Sequence, residues 1–469
     1  MRGAGGRRRP SARRGVAAGG GGGSPPHRAE VQPLPLGQPA ARHQPLGRPP
    51  AAARRGGGAP DPGLHSSQNE QDNRLLAKVA KIPLLEPCSP KEAKEFVKVA
   101  FEISEQFDIP VMIRLTTRIA HSKENVGIGE RKEVPKKDFK IDTQKYVMVP
   151  KNAYLRHIDL EKRLEKLKNY SEKTKINKLE INDKKLGFIT SGITYLYAKE
   201  MFPEASFLKL GMSHPFPDKK VIEFSKKVKN IFVIEELEPF IEEQVKALGI
   251  KIKTKHPSFR VGELLPEHIV KIVAGKKKEE KVISSRKPSM CPGCPHSGVF
   301  SVLKKLGVTV SGDIGCYTLA AAPPFSALHT CLCMGGGVTF FEGLTRALGK
   351  NVVGVIGDST FVHSGITGLI NAAYNGVKGV IIILDNSTTA MTGGQPHPAT
   401  GFNIKGQETK QLLLENICEA SGADTVDIID PFAVKELEEL IKKRISDEKL
   451  SVIIARRPCK LMVDKNKKS

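Results

Sequence analysis

Tryptophan is absent from the sequence, and aromatic residues make up only 6% of its 469 positions. Long apolar runs are missing too: GVIIIL around residue 380 is among the longest, far short of the roughly 20 residues a membrane-crossing helix needs. No membrane association is therefore expected. Cysteine is sparse, and 8 thiols in a chain of this size do not suggest a disulfide scaffold. Nor is a secretory signal legible, because basic MRGAGGRRRPSARR is followed by GVAAGGGGGS rather than by a hydrophobic core. A reducing, cytoplasmic setting is expected, with the cysteines free for packing or for metal.

The net charge of +24 points towards nucleic acid until its distribution is seen. Residues 1–60 hold 11 Arg, one Glu and no Lys, which leaves 63 basic and 49 acidic groups, or +14, on the remainder. Those charges are mostly lysines spread along helices, an ordinary solvated surface, so nucleic-acid binding by the body is not expected. The first 60 residues are Gly, Pro, Ala and Arg without aromatic residues or isoleucine, and cannot bury a core. Three readings are open for this stretch: a disordered tail, an RNA-binding Arg/Gly arm lacking the usual interleaved aromatics, or a segment translated in a wrong frame. The abrupt change in Lys, Ile and Phe usage near residue 63 favours the last.

The rest is long enough for two or three domains and reads as α/β. SPKEAKEFVKVAFEISEQF (89–107) opens with a serine cap and repeats apolar residues at helical spacing. IPVMIRLTT (109–117) reads as a buried strand. Residues 125–182 are polar and lysine-rich, with one amphipathic helix near 158–172. Strands at KLGFITSG, ASFLKLG and NIFVIEE alternate with helices, and the charged hinge AGKKKEEKVISSRKP (274–288) follows. Beyond it, VTVSG (308–312), NVVGVIG (351–357), GVIIILD (379–385) and SVIIARR (451–457) read as strands with helices between. Near-continuous apolar strands separated by helices predict a parallel sheet covered on both faces, with ligands beyond the strands' carboxyl ends.

Four chemically loaded turns sit at those ends: DIGCYT, GDST, DNSTT and PCK. Asp358 and Asn386 lie 28 positions apart, one strand-helix-strand repeat. The carboxylate, the amide oxygen and the backbone carbonyl of Thr388 would give Mg²⁺ three oxygens, leaving the other octahedral positions to a diphosphate and water. Gly357 and small Ser359 would let the diphosphate approach the helix N-terminus.

CPGCPHSGVF, SGDIGCYTLAAAPPF, GDSTFVHSGITGLINAAYN and LDNSTTAMTGGQPHPATG together closely resemble the alpha subunits of indolepyruvate:ferredoxin oxidoreductases, members of the thiamine-diphosphate-dependent 2-oxoacid:ferredoxin oxidoreductases. HSSQNEQDNR (65–74) and RLTTRIAHS (114–122) resemble the end of that family's pyrimidine-binding domain. The resemblance spans about residues 60–460 and implies an α/β, multi-domain thiamine-diphosphate-binding fold. It divides the chain into a tail (1–62), the C-terminal part of a pyrimidine-binding domain (63–124), a connector (125–182), a transketolase-C-like domain (183–275) and a diphosphate-binding domain (276–469). It implies thiamine diphosphate and Mg²⁺ as cofactors, an arylpyruvate such as indolepyruvate as substrate, coenzyme A as acyl acceptor and ferredoxin as electron acceptor. A beta subunit in a hetero-oligomer is implied as well. Asp358, Asn386 and Thr388 match the Mg²⁺ positions. Ile314, Gly315, Cys316, Tyr317, Gly357, Asp358, Ser359 and Thr360 match the cofactor loops.

Pyruvate-type relatives hold a [4Fe–4S] cluster beside the thiamine with two cysteines of a Cys-Pro-Gly-Cys turn, one of an Ile-Gly-Cys turn and one of a distal Pro-Cys. Cys291, Cys294, Cys316 and Cys459 match all four, and such a cluster requires four thiolates. A Cys₄ zinc site, a Cys₃His site with His296, or metal-free thiols stay open as alternatives. Cys88, Cys331, Cys333 and Cys418 are expected in the core. His296, His363 and His397 lie in cofactor-edge loops, placed to orient substrate or shuttle protons, or merely to bond backbone; His329 is a further candidate.

The family pattern also predicts segments not found here. The first half of the pyrimidine domain, with the glutamate that activates the cofactor, is expected before residue 60, and Glu30 matches nothing. A ferredoxin-like tail with Cys-x-x-Cys-x-x-Cys runs is expected after residue 469. A chain truncated at both ends is therefore expected. Two other functions compete with the oxidoreductase: a non-catalytic cofactor-binding or RNA-associated subunit, and a non-redox thiamine-dependent decarboxylase.

Overall fold

A computed structural model describes residues 62–65, 70–130, 141–279, 289–349 and 351–466. The tail reading for residues 1–62 lies almost wholly outside the described residues, as do parts of the HSSQNEQDNR stretch and of the charged hinge.

The first unit is built on the helix Pro90–Phe107. Ser89 caps it, its hydroxyl accepting the Glu92 N–H at 3.2 Å, and Pro90 occupies the first turn, where no amide hydrogen is needed. Phe96, Ala100 and Ile103 are buried along one face. This helix packs on two short strands, β1 (Leu84–Leu85) and β2 (Met112–Ile113), which pair in parallel. The predicted strand over 109–117 is thus reduced to two residues. Arg114 turns inward to bond Glu86 at 3.0 Å, and a helix begins at Thr117. A 24-residue helix, Pro150–Lys173, follows; Leu167 on it is fully buried and joins the core of this first unit.

The second unit is a four-stranded sheet. Its strands are β3 (Lys178–Glu180), β4 (Asp183–Ser191), β5 (Ala205–Leu210) and β7 (Asn230–Ile234), in the order β3-β5-β4-β7. β4 pairs in parallel with β5 and β7, while β3 runs antiparallel at the edge. Between β5 and β7, β6 (Met212–His214) leaves this sheet and pairs antiparallel with β1, so one short stretch of chain stitches the two units together.

A buried ionic cluster fastens the same junction. Arg74 is 1% exposed; its guanidinium bonds Glu235 at 2.5 Å, pairs with Asp72, and donates to the Glu236 and Glu238 carbonyls. Glu235 in turn accepts the Ile241 and Glu242 amides at the start of the helix Phe240–Ala247, where a carboxylate suits the helix dipole. Removing one partner from such a cluster strands a charge without solvent.

The third unit holds β8 (Thr309–Gly312), β9 (Thr330–Cys331), β10 (Val352–Gly357), β11 (Gly379–Asp385), β12 (Thr425–Ile429) and β13 (Leu450–Arg456). Their order is β12-β13-β11-β10-β8-β9, and every neighbouring pair is parallel. The two-residue period of β11 feeds both faces: Val380, Ile382 and Leu384 enter one core with Phe300 and Leu437, while Ile381 and Ile383 enter the other with Leu369 and Leu414. This is the predicted parallel sheet covered on both sides. Gly357 stands beside Leu384 and Asp385 beside Arg456, so the carboxyl ends of the three central strands finish level. No helix among the described residues is long and apolar enough to cross a membrane.

The junction cluster carries a pH signature. Burial would raise the carboxyl of Asp72, but Arg74 outweighs it and lowers the pKa from 3.8 to about 2. A depressed carboxyl contributes stability above its unfolded pKa and loses it as pH falls through the folded one, here between about 4 and 2, an amount of about 2 kcal/mol. Asp72→Asn should therefore be less stable at neutral pH by about that amount and show a shallower loss between pH 4 and 2, as read by denaturant titration across pH.

Candidate functional site

The level strand ends of the third unit bring four loops together. After β10, the chain enters a helical stretch beginning with Asp358–Thr360, widens into a π-helical turn at Phe361–Gly365, and continues as Ile366–Tyr374. Such widened turns are most often found at functional sites, because they re-aim side chains without ending the helix.

Asp358 is 3% exposed and is held from three directions. Its Oδ1 accepts the Ser359 N–H at 2.7 Å, Oδ2 accepts the Ser387 N–H at 2.8 Å, and His397 Nε2 donates to Oδ2 across 3.2 Å. Asn386 and Thr388, also buried, come from the loop after β11, and Asn386 Oδ1 accepts the Thr388 N–H at 3.3 Å. Asn386 Nδ2 lies 3.3 Å from His296 Nε2. Burial lowers the His296 pKa to about 4 against the opposing pull of Asp358. Ser359 and Thr389 share a hydroxyl–hydroxyl contact of 2.8 Å. Two buried polar atoms facing this network have no hydrogen-bond partner: Thr388 Oγ1 and His397 Nδ1.

Tyr317 ties the first loop to the second. Its hydroxyl accepts the Gly357 N–H at 2.9 Å and donates to the Ile314 carbonyl at 3.1 Å, while Thr360 Oγ1 donates to the same carbonyl at 3.3 Å. A Cβ on Gly315 would stand 2.2 Å from the Tyr317 ring, so no larger residue fits that close approach. Ile314, Gly315, Cys316, Tyr317, Gly357, Asp358, Ser359, Thr360, Asn386 and Thr388 therefore all lie on one hydrogen-bonded edge.

Cys316 lies on the first of these loops, and the other cysteines arrive on two further turns. Cys291-Pro-Gly-Cys294 closes with Cys294 N–H donating to the Cys291 carbonyl at 3.0 Å, and Gly293 takes the positive φ of 73° that its place after proline demands. Cys459 follows β13, and its N–H donates to the Asn386 carbonyl at 3.0 Å. Burial pushes the Cys294 thiol up to about 11, helped by the charges of Cys291, Cys316 and Cys459; burial and then Cys459 and Cys291 raise Cys316. Among the described residues no three His, Cys, Asp or Glu side chains converge as a metal site. A single zinc ion draws its ligands to within about 2.3 Å of one centre, and this geometry does not provide that for the cysteines with or without His296.

Sequence reasoning misjudged or missed several neighbours. Cys88 and Cys418 are buried and Cys331 is half-buried, but Cys333 is exposed: it lies in the loop that precedes the helix Gly336–Leu348 rather than in the core. His363 is exposed within the widened turn and takes no part in the network around Asp358 and Asn386. His329 is exposed as well, its Nδ1 accepting the Val310 N–H at 2.9 Å. Asp313, fully buried, accepts the Ile314 and Gly337 amides at 2.7 Å each and fixes the loop that carries Cys316. Asp385 bonds Arg456 at 2.7 Å across the ends of β11 and β13. Both aspartates close apolar strands, the one signal that could have found them. A recess of about 350 Å³ lined by Lys78, Lys81, Lys168 and His214 involves none of these strand-end residues.

Tyr317→Phe removes the acceptor of the buried Gly357 N–H. A destabilisation of about 1–3 kcal/mol is expected, measured by denaturant unfolding; an unchanged midpoint would show that the hydroxyl does not hold these loops.

Residues 313–455 match the C-terminal TPP binding domain of thiamine pyrophosphate enzymes. The chain is 36% identical over 438 residues to the indolepyruvate oxidoreductase subunit IorA of Archaeoglobus fulgidus, the match covering 86% of this chain and 70% of that protein. With the IorA subunit of Pyrococcus abyssi the identity is 38% over 454 residues, at the same two coverages of 86% and 70%. It is also 30% identical over 194 residues to the 2-oxoacid:ferredoxin oxidoreductase subunit beta of Saccharolobus solfataricus, which covers 36% of this chain and 61% of that one. With two thirds or more of each IorA relative spanned at this identity and a thiamine pyrophosphate domain on the level strand ends, the chain belongs to the family of indolepyruvate oxidoreductase IorA subunits.

Proposed function

We propose that this chain carries thiamine diphosphate for the oxidative decarboxylation of an aryl 2-oxo acid such as indolepyruvate, with coenzyme A accepting the acyl group and ferredoxin the electrons. In this reading it works in the cytoplasm with a beta subunit as a hetero-oligomer. Residues 63–124 would serve as the end of the pyrimidine-binding domain, 125–182 as connector, 183–275 as the transketolase-C-like domain and 276–469 as the diphosphate-binding domain.

The observation that carries the proposal is the convergence of Asp358, Asn386 and Thr388 with the Gly357–Thr360 helix start. These residues fit Mg²⁺ and a diphosphate. One carboxylate, one amide oxygen and one backbone carbonyl are the hard oxygen donors this cation takes, with water and substrate phosphates completing its octahedron. The buried, partnerless Thr388 hydroxyl and His397 ring nitrogen leave hydrogen-bonding capacity for a polar ligand. Bound here, thiamine diphosphate supplies the electron sink for decarboxylation. The chain's own residues do the positioning: Asp358, Asn386 and the Thr388 carbonyl hold the ion, His397 and Ser387 hold Asp358, and Tyr317 keeps the Ile314–Tyr317 loop against Gly357. Cys291, Cys294, Cys316 and Cys459 are the four thiolates a [4Fe–4S] cluster would need to take the electrons; two of their turns adjoin the cation edge, Cys459 through its N–H bond to the Asn386 carbonyl and Cys316 through its neighbour Tyr317, which bonds Gly357. His296 and His363 were candidates for proton transfer; burial of His296 against Asn386 and exposure of His363 favour other roles for both.

The test is indolepyruvate- and coenzyme-A-dependent reduction of ferredoxin or a viologen dye by the anaerobically purified enzyme. Asp358→Asn should lower that rate at least about 100-fold, since a direct ion ligand matters more than the 10–100-fold typical of outer-shell partners. Aldehyde release from indolepyruvate without dye reduction would replace this reading with a non-redox decarboxylase.

A further inference from the structure

An asparagine offers an oxygen to a cation in only one of its two amide orientations. What fixes Asn386 is therefore decisive for the site proposed above. Its Nδ2 faces His296 Nε2 at 3.3 Å and its Oδ1 faces the Thr388 N–H at 3.3 Å. Flipping the amide would set Nδ2 against the Thr388 N–H, donor against donor. It would also turn Oδ1 to the ring nitrogen, which would then have to carry the proton, so the observed orientation goes with Nε2 as acceptor. The donor-against-donor contact at Thr388 is costly in a buried site, because neither group has water to turn to.

His296 is itself held tightly. It is 4% exposed and starts the helix His296–Leu306 directly after the cysteine turn. Its ring meets the Tyr317 ring edge-on at 5.8 Å and 89°. The next residue, Ser297, donates its N–H to the Cys294 carbonyl at 3.0 Å and so ties this helix start to the cysteine turn. The same helix start thus holds the turn through its main chain and the asparagine amide through the His296 ring. The opposite side of Asn386 is gripped by the Cys459 N–H at 3.0 Å. Tyr317, which braces the imidazole, is the residue after Cys316 and bonds Gly357. Each of the three cysteine-bearing turns therefore reaches the Asp358–Asn386 edge through a direct contact.

We propose that His296 is a positioning residue: its Nε2 accepts the Asn386 amide and so presents Asn386 Oδ1 to the cation, making the 291–294 turn and the cation site one mechanically coupled unit. This inference rests on the reading that Asp358 and Asn386 hold Mg²⁺ for thiamine diphosphate. It assigns His296 neither substrate contact nor proton transfer.

The experiment is calorimetric titration of Mg²⁺ into the purified full chain at fixed thiamine diphosphate, for wild type, His296→Gln and His296→Met. Glutamine and methionine match in length, but only glutamine offers an acceptor oxygen. His296→Met should weaken apparent Mg²⁺ affinity about 10–100-fold, the range for outer-shell partners, while His296→Gln stays within about threefold of wild type. A simple packing role would make the two variants alike, so equal losses overturn the proposal, as does wild-type affinity in His296→Met. If His296→Met fails to fold, His296→Gln alone decides: near-native affinity supports the acceptor role, and a tenfold loss overturns it. Wild-type protein that binds no thiamine diphosphate with Mg²⁺ overturns the underlying reading instead.

Discussion

The carboxylate of Asp358 is the contact on which the strand-end edge depends. Buried among apolar strands, it would be costly without partners, and three chain segments supply them: its own helix start, the Ser387 amide after β11, and His397 from the loop beyond. The Ser387 bond needs β10 and β11 to finish level, which the parallel register from Val353–Val380 to Gly357–Leu384 ensures. That register follows from aliphatic runs buried on both faces, where a one-residue slip would exchange every side chain between the two cores.

Much of this was legible in the residues. The strand predicted at 379–385 is β11 itself, those at 308–312 and 351–357 begin one residue before β8 and β10, and that at 451–457 is β13 shifted by one residue. Long Val/Ile runs between glycines leave little ambiguity. β12 escaped notice because it is half-buried at the sheet edge and carries Asp427 among its apolar residues. In the first unit the apolar stretch 109–117 misled, since the buried Arg114–Glu86 pair ends the strand early. Residue identities at the site were legible wherever a turn motif followed a strand. Partnerships were not: His296 and Asn386 lie 90 positions apart, and Asp358 and His397 lie 39 apart, distances over which spacing carries no information.

The two halves of the molecule solve their buried-charge problem differently. In the first and second units Arg74, Asp72 and Glu235 neutralise one another and fasten helices to sheets, a structural use of ions. At the strand ends of the third unit, backbone amides of Ser359 and Ser387 and the imidazole of His397 hold Asp358 instead. The cysteine turns adjoin that edge, with the Cys459 N–H bonded to the Asn386 carbonyl and the Cys294 thiol raised chiefly by burial.

The most direct test of the account is a crystal structure of the anaerobically prepared protein with thiamine diphosphate and Mn²⁺ in place of Mg²⁺. The account predicts an anomalous manganese peak between the Asp358 carboxylate, Asn386 Oδ1 and the Thr388 carbonyl, with the diphosphate at the Gly357–Thr360 helix start. Manganese and cofactor bound away from Asp358 and Asn386 would contradict it.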